Sequence, residues 1–172
     1  MRGFTARPRS VRSRVLATHY LLGSRTRSAV NVPHFVGYAP RWVTLDKLYL
    51  VVGQPSALMG LRVGGQLVPL SDRQPADPRA YFKPGLASRY EGRNLLDPML
   101  ASLDSHNFLL PGAEVESARL KPRRSVLTGP VPNVGTLILR RRNGRPIRLI
   151  LLGEQEHDNI VSVLAIAGVA LV

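Results

Sequence analysis

The 172-residue chain predicts a mostly β, α+β fold: a run of antiparallel strands closed by one C-terminal helix. Three observations carry this. Short apolar stretches recur between Gly, Pro and Asn turn signals. Asn143-Gly144 separates two strongly apolar segments, Thr136-Leu137-Ile138-Leu139 and Ile147-Arg148-Leu149-Ile150-Leu151, and this residue pair suits a tight primed turn because both central positions need positive φ. After Gly153 the period becomes helical, with Ile160, Val163, Leu164, Ala167 and Leu171 recurring at that spacing.

Trp42 to Val52 is the first expected strand, and Gly53-Gln54-Pro55-Ser56 ends it. Ala57 to Val63 and Gln66 to Leu70 flank Gly64-Gly65, which reads as a two-glycine hairpin. Ser71 to Asn94 carries Pro75, Pro78, Pro84 and Gly85; it is too long for a tight turn and is expected as an ordered excursion over the surface. Asp97-Pro98 sets a capping carboxylate before a proline at the first helical position, where the missing N–H costs nothing. Pro98 to Asp104 therefore predicts a short helix with Met99, Leu100 and Leu103 on its apolar face.

Asn107 to Leu110 and Glu114 to Leu120 follow as strands around Pro111-Gly112. A final hairpin closed at Asn143-Gly144 pairs Arg142 with Arg145, Arg141 with Pro146, Arg140 with Ile147 and Leu139 with Arg148. Its base is apolar and its tip cationic. Glu154, Glu156 and Asp158 favour the start of the C-terminal helix through the helix dipole. Ile160 to Val172 falls short of the roughly 18–20 residues of a bilayer span, so the helix is expected to pack on the core.

Charge divides the chain unevenly. Lys and Arg number 24 against 11 Asp and Glu, a formal charge of +13. Residues 1–41 hold eight Arg and no acid; the remainder holds 16 basic and 11 acidic residues. Residues 1–41 are accordingly read as a basic, Arg/Ser-rich, disordered leader, and residues 42–172 as the folded domain with its excursion at 71–94. A phosphate-contacting arm, an organelle transit peptide and a start placed too far upstream remain open for the leader. Val15 to Leu22 is broken by Thr18, His19 and Tyr20, which argues against a secretory signal. A cytoplasmic location, peripheral at the membrane, is the expectation.

The stretch Asn107 to Pro111, the strand Ala113 to Leu120, Gly135 to Leu139, Arg145 to Leu149 and the helix after Gly153 together resemble the second half of bacterial pleckstrin-homology-like (PH-like) domains of uncharacterised proteins. The resemblance covers Asn107 to Val172 and, more loosely, Trp42 to Leu70. It implies an antiparallel β-barrel or roll plugged by the C-terminal helix, acting as a binding or scaffolding module; fold alone does not assign the ligand. Phosphoinositide-binding members of the wider group carry Lys or Arg in the first hairpin. Here the expected first turn, Gly53 to Ala57, has none, so the resemblance does not extend to inositol-phosphate recognition.

The side chains point away from catalysis. With no Cys there is no disulfide, thiolate zinc site or cysteine nucleophile. His106 near Asp104, and His157 between Glu156 and Asp158, lack metal-ligand spacing, and Leu61-Arg62 stands where a phosphate-binding loop needs Lys and Ser/Thr. No GxSxG occurs. A non-enzymatic module without cofactor or metal is expected. Arg140, Arg141, Arg142, Arg145 and Arg148 gather five guanidinium groups suited to anionic oxygens; Arg119, Lys121, Arg123 and Arg124 lie just upstream. A solvated, edge-protecting tip is the plain alternative. No aromatic follows Phe108, which argues against stacking on bases. The expected partner is another protein or an anionic membrane surface, with nucleic acid, engaged through leader and tip, as the alternative. A small enzyme with its site in residues 71–106 would require a concave pocket containing His106 or Glu91.

Overall fold

The computed structural model describes residues 32–40, 46–67 and 75–172. The leader reading over residues 1–31 and the strand readings over Trp42 to Leu45 and Val68 to Leu70 lie outside the described residues. Among the described residues, seven antiparallel strands form one curled sheet, a half-barrel, in the order β4-β3-β2-β1-β7-β6-β5. They are β1 (His34–Ala39), β2 (Lys47–Gln54), β3 (Ala57–Gly64), β4 (Phe108–Pro111), β5 (Val115–Lys121), β6 (Asn133–Arg141) and β7 (Ile147–Leu152). A one-turn helix α1 (Pro84–Ala87) lies in the excursion, and α2 (His157–Ile166) follows β7. No helix among the described residues is long and apolar enough to cross a membrane.

β1 corrects the expected boundary at residue 42. His34 to Ala39 pair with Val52 to Lys47 of β2, and Gly37 and Tyr38 pair with Leu151 and Ile150 of β7. The segment is central to the sheet. Phe35 and Val36 are both buried, one in each of two apolar clusters, so the strand lacks the alternation that marks a half-exposed one. β2 is buried along its whole length for the same reason. The turn taken as the first is therefore the second: Pro55-Ser56 closes β2 on β3, with Gln54 opposite Ala57 and Ser56 at φ +63°.

Gly64-Gly65 makes no hairpin among the described residues. Gly64 is the last residue of β3, opposite Leu48, with Leu48 Cβ and the Tyr81 carbonyl close to where a Cβ would stand. The glycine there permits close approach. The excursion does more than cross the surface. Leu86 and Tyr90 are buried, as is Leu100 in the turn that follows the excursion, and Tyr90 and Leu100 join Leu48, Leu50, Val52, Met59 and Leu61 in a second core. Asp97 caps as expected, accepting from the Met99 N–H at 2.9 Å, but Pro98–Leu103 is a 3-10 helix. Its tighter winding buries Leu100 and leaves Met99 and Leu103 exposed.

The other core fills the concave side, where Ile160, Val163, Leu164 and Ala167 of α2 meet Tyr49, Val51, Leu58, Leu137, Leu139, Leu149 and Leu151. β4 and β5 do not pair with each other; they stand at opposite ends of the strand order with only Gly112–Glu114 between them in sequence. Three residues span roughly 10 Å at most, so the sheet must curl until its two ends meet at that corner. The C-terminal tail closes the β5 edge: Ala118 N–H donates to the Ala170 carbonyl at 2.9 Å, and Val172 N–H donates to the Ala118 carbonyl at 2.8 Å.

Candidate cationic face

The last hairpin sets the site, and its register differs by one residue from the expected one. Leu139 stands opposite Ile147 and Ile138 opposite Arg148. A one-residue slip exchanges faces. The observed register keeps Leu137, Leu139, Leu149 and Leu151 together on the concave core, whereas the Asn-Gly register would set Leu139 against Arg148. Pro146, with no N–H to offer a ladder, falls in the loop beyond the last pair.

The five candidate arginines separate accordingly. Arg140 and Arg148 lie on the outer face of the sheet, and Arg145 is exposed in the loop. Arg141 lies on the opposite face and reaches Glu114, Nη2 to Oε2 at 3.2 Å. Arg142 donates from Nε to the Ala113 carbonyl at 2.9 Å, and its backbone N–H donates to the Glu114 carbonyl at 2.8 Å. These two arginines tie the tip to the β4–β5 corner.

Cross-strand registers bring two other cations to the outer face. Arg119 of β5 faces Ile138, which faces Arg148; Ser117 faces Arg140; Lys121 faces Thr136. Arg119, Lys121, Arg140 and Arg148 thus share one face of β5–β6–β7, interleaved with Ser117, Thr136 and Ile138, with the exposed Glu116 in the bulge beside Ser117. Among the described residues none of these four makes an ion pair. Arg119 and Lys121 read as a connection upstream of the tip. A β-bulge between Val115 and Ser117 sets Val115 inward with Ala118 and Leu120 and turns Ser117, Arg119 and Lys121 outward. The alternation of Ser117, Arg119 and Lys121 was the available signal; which side it faced was not.

The β5–β6 loop borders this face. Val131 is buried in the second core, Thr128 Oγ1 donates to the Val131 carbonyl at 3.0 Å, and Asn133 binds the Ser125 N–H (2.8 Å), the Ser125 carbonyl (3.0 Å) and Thr128 Oγ1 (2.8 Å). An open depression of about 450 Å³ beside it is lined in part by Arg124, Val126, Asn133 and Glu154; neither His106 nor Glu91 lines it. His106 lies instead in a polar cluster at the other sheet edge, its Nδ1 3.1 Å from Asp104, which also accepts from Arg89 at 2.9 Å. His157 Nδ1 is 3.8 Å from Asp158 on the surface. Among the described residues no three His, Asp or Glu side chains converge as a metal site. Comparison with protein-family models, curated proteins and solved structures finds no match to this chain.

Proposed function

We propose that this chain is a non-catalytic, PH-like binding module that holds its outer β5–β6–β7 face against an anionic membrane surface. The observation that carries the reading is the set of four cations, Arg119, Lys121, Arg140 and Arg148, brought to one face by strand pairing and outnumbering Glu116 in the adjoining bulge. The curled antiparallel sheet and the helix in its concave side support the PH-like part. Clustered cations suit a surface of lipid phosphates, since each Lys or Arg near such a surface contributes about 1 kcal/mol. Nucleic acid is the less favoured ligand because the face carries no aromatic for bases to stack on.

The test is co-sedimentation of the full chain with neutral phosphatidylcholine vesicles and with mixed phosphatidylcholine and phosphatidylserine vesicles. Binding to the anionic vesicles alone is expected, weakening with salt. Replacing Arg119, Lys121, Arg140 and Arg148 together by Ser should lower partitioning on the order of a hundredfold or more. Equal binding to neutral vesicles, or displacement by single-stranded nucleic acid at lower concentration than by anionic lipid, overturns the reading.

A further inference from the structure

We infer that Val126 and Leu127, at the apex of the β5–β6 loop, insert into the headgroup boundary of the bilayer and act as an apolar wedge beside the cationic face. The inference rests on the membrane reading above and goes beyond it, because electrostatic attraction alone requires no apolar contact.

Val126 is 89% exposed and Leu127 54%. Single exposed apolar residues are ordinary on soluble proteins. Two adjacent branched aliphatics on a structured apex are less so, and this apex is firmly built. Val126–Thr128 form a 3-10 turn; Ser125 caps it by accepting from the Leu127 N–H at 3.3 Å, and Gly129 ends it at φ +57°. Below it Asn133 and Thr128 are buried and hydrogen-bonded to each other and to the Ser125 backbone. The polar support fixes the turn while its apolar side chains face outward, so ordering them at a membrane costs little further entropy.

Charge complementarity selects the occupant. Arg123 and Arg124 immediately precede the turn, both exposed, and neither makes an ion pair among the described residues. Lys121 and Arg119, on the outer face, lead directly into the loop. The loop itself folds toward that same face, because Val131 joins the core that also holds Ile150 and Leu152 of β7, and Ile150 stands opposite Thr136 in the row that contains Lys121. An apolar tip with a guanidinium collar fits the boundary between acyl chains and lipid phosphates: the aliphatics enter about 5–10 Å, and the arginines keep their heads at the phosphates.

The absence of Cys permits single-site labelling of the full chain. Val126→Cys carrying an environment-sensitive nitrobenzoxadiazole label should brighten and shift to shorter wavelength on mixed phosphatidylcholine and phosphatidylserine vesicles. Shallow spin-labelled lipids should quench it. The same label at Met99→Cys, exposed on the 3-10 helix beside the opposite sheet edge, should keep its aqueous emission. Replacing Val126 and Leu127 together by Ser, a surface change that leaves the core untouched, should lower partitioning about tenfold or more. If the chain binds anionic vesicles but the Val126 label stays aqueous, or the Ser pair binds as tightly as the parent, insertion is refuted and the cationic-face reading stands. If the parent chain does not bind anionic vesicles, both fall.

Discussion

Asp104 shows how much one side chain can gather. Its side chain is 8% exposed, and the carboxylate accepts from Arg89 Nη1 at 2.9 Å and from the His106 N–H at 2.9 Å, with the His106 ring at 3.1 Å and Arg62 Nη1 at 3.9 Å. Burial pushes the carboxyl up; the His106 N–H and ring, with the charge of Arg62, outweigh it and hold it below the ordinary value. The group therefore stabilises the fold above its unfolded pKa of about 3.9, and that contribution is lost as pH falls through the lower folded value. Urea unfolding midpoints measured across the acid range should fall there, and Asp104→Asn should reduce the midpoint at neutral pH and flatten the acid limb. A parallel fall in parent and variant would show that other carboxylates govern acid unfolding. Of this cluster only the His106–Asp104 pair was legible in order; Arg62 and Arg89 come from β3 and the excursion.

Between elements, edges and registers decide more than propensity does. The β5 edge is covered by three tail residues, with Leu171 bridging Ala118 in parallel. Removing Ala170 to Val172 should cost about 1–3 kcal/mol from two backbone hydrogen bonds and bare an edge that promotes pairing between copies. A lowered thermal midpoint together with faster sedimentation at high concentration is the expected pair of results; an unchanged midpoint would mean that the tail is only resting there. The final hairpin teaches the same lesson. Its turn is not the tight primed one expected, since Gly144 has positive φ (+97°) and Asn143 does not. Its strands were legible from their apolar runs. Its register was not, because Asn143-Gly144 is a local preference of small size, while four leucines on one face of β6 and β7 bury against α2 and outweigh it.

The whole sheet hangs on one seam. Among the described residues, strand pairing joins β1–β4 to β5–β7 only where Gly37 and Tyr38 pair with Leu151 and Ile150. Beyond that point Gly153, at φ +67°, turns the chain away from β1. The Gln155 side chain continues the ladder in its place: Nε2 donates to the Val36 carbonyl at 2.8 Å, and Oε1 accepts from the Val36 N–H at 2.6 Å. Asn159 of α2 donates to the His34 carbonyl. Gln155→Ala should lower stability by about 1–3 kcal/mol, read as a shifted denaturant midpoint with loss of hydrogen-exchange protection at the Val36 amide. Retained protection there would show that the backbone seam suffices alone.

Taken by itself, the amino-acid order determined the local features of this protein: the apolar strands from Lys47 onward, the Asp97 cap, the acidic start of α2 and the excess of arginine. Each depends on neighbours within a few residues. Long-range pairing decided that His34–Ala39 is a central strand, that the excursion builds a second core, and that Arg119 and Lys121 join Arg140 and Arg148 while Arg141 and Arg142 are drawn to the β4–β5 corner. Face and register follow from burying both sides of a curled sheet at once, a condition no single segment can express.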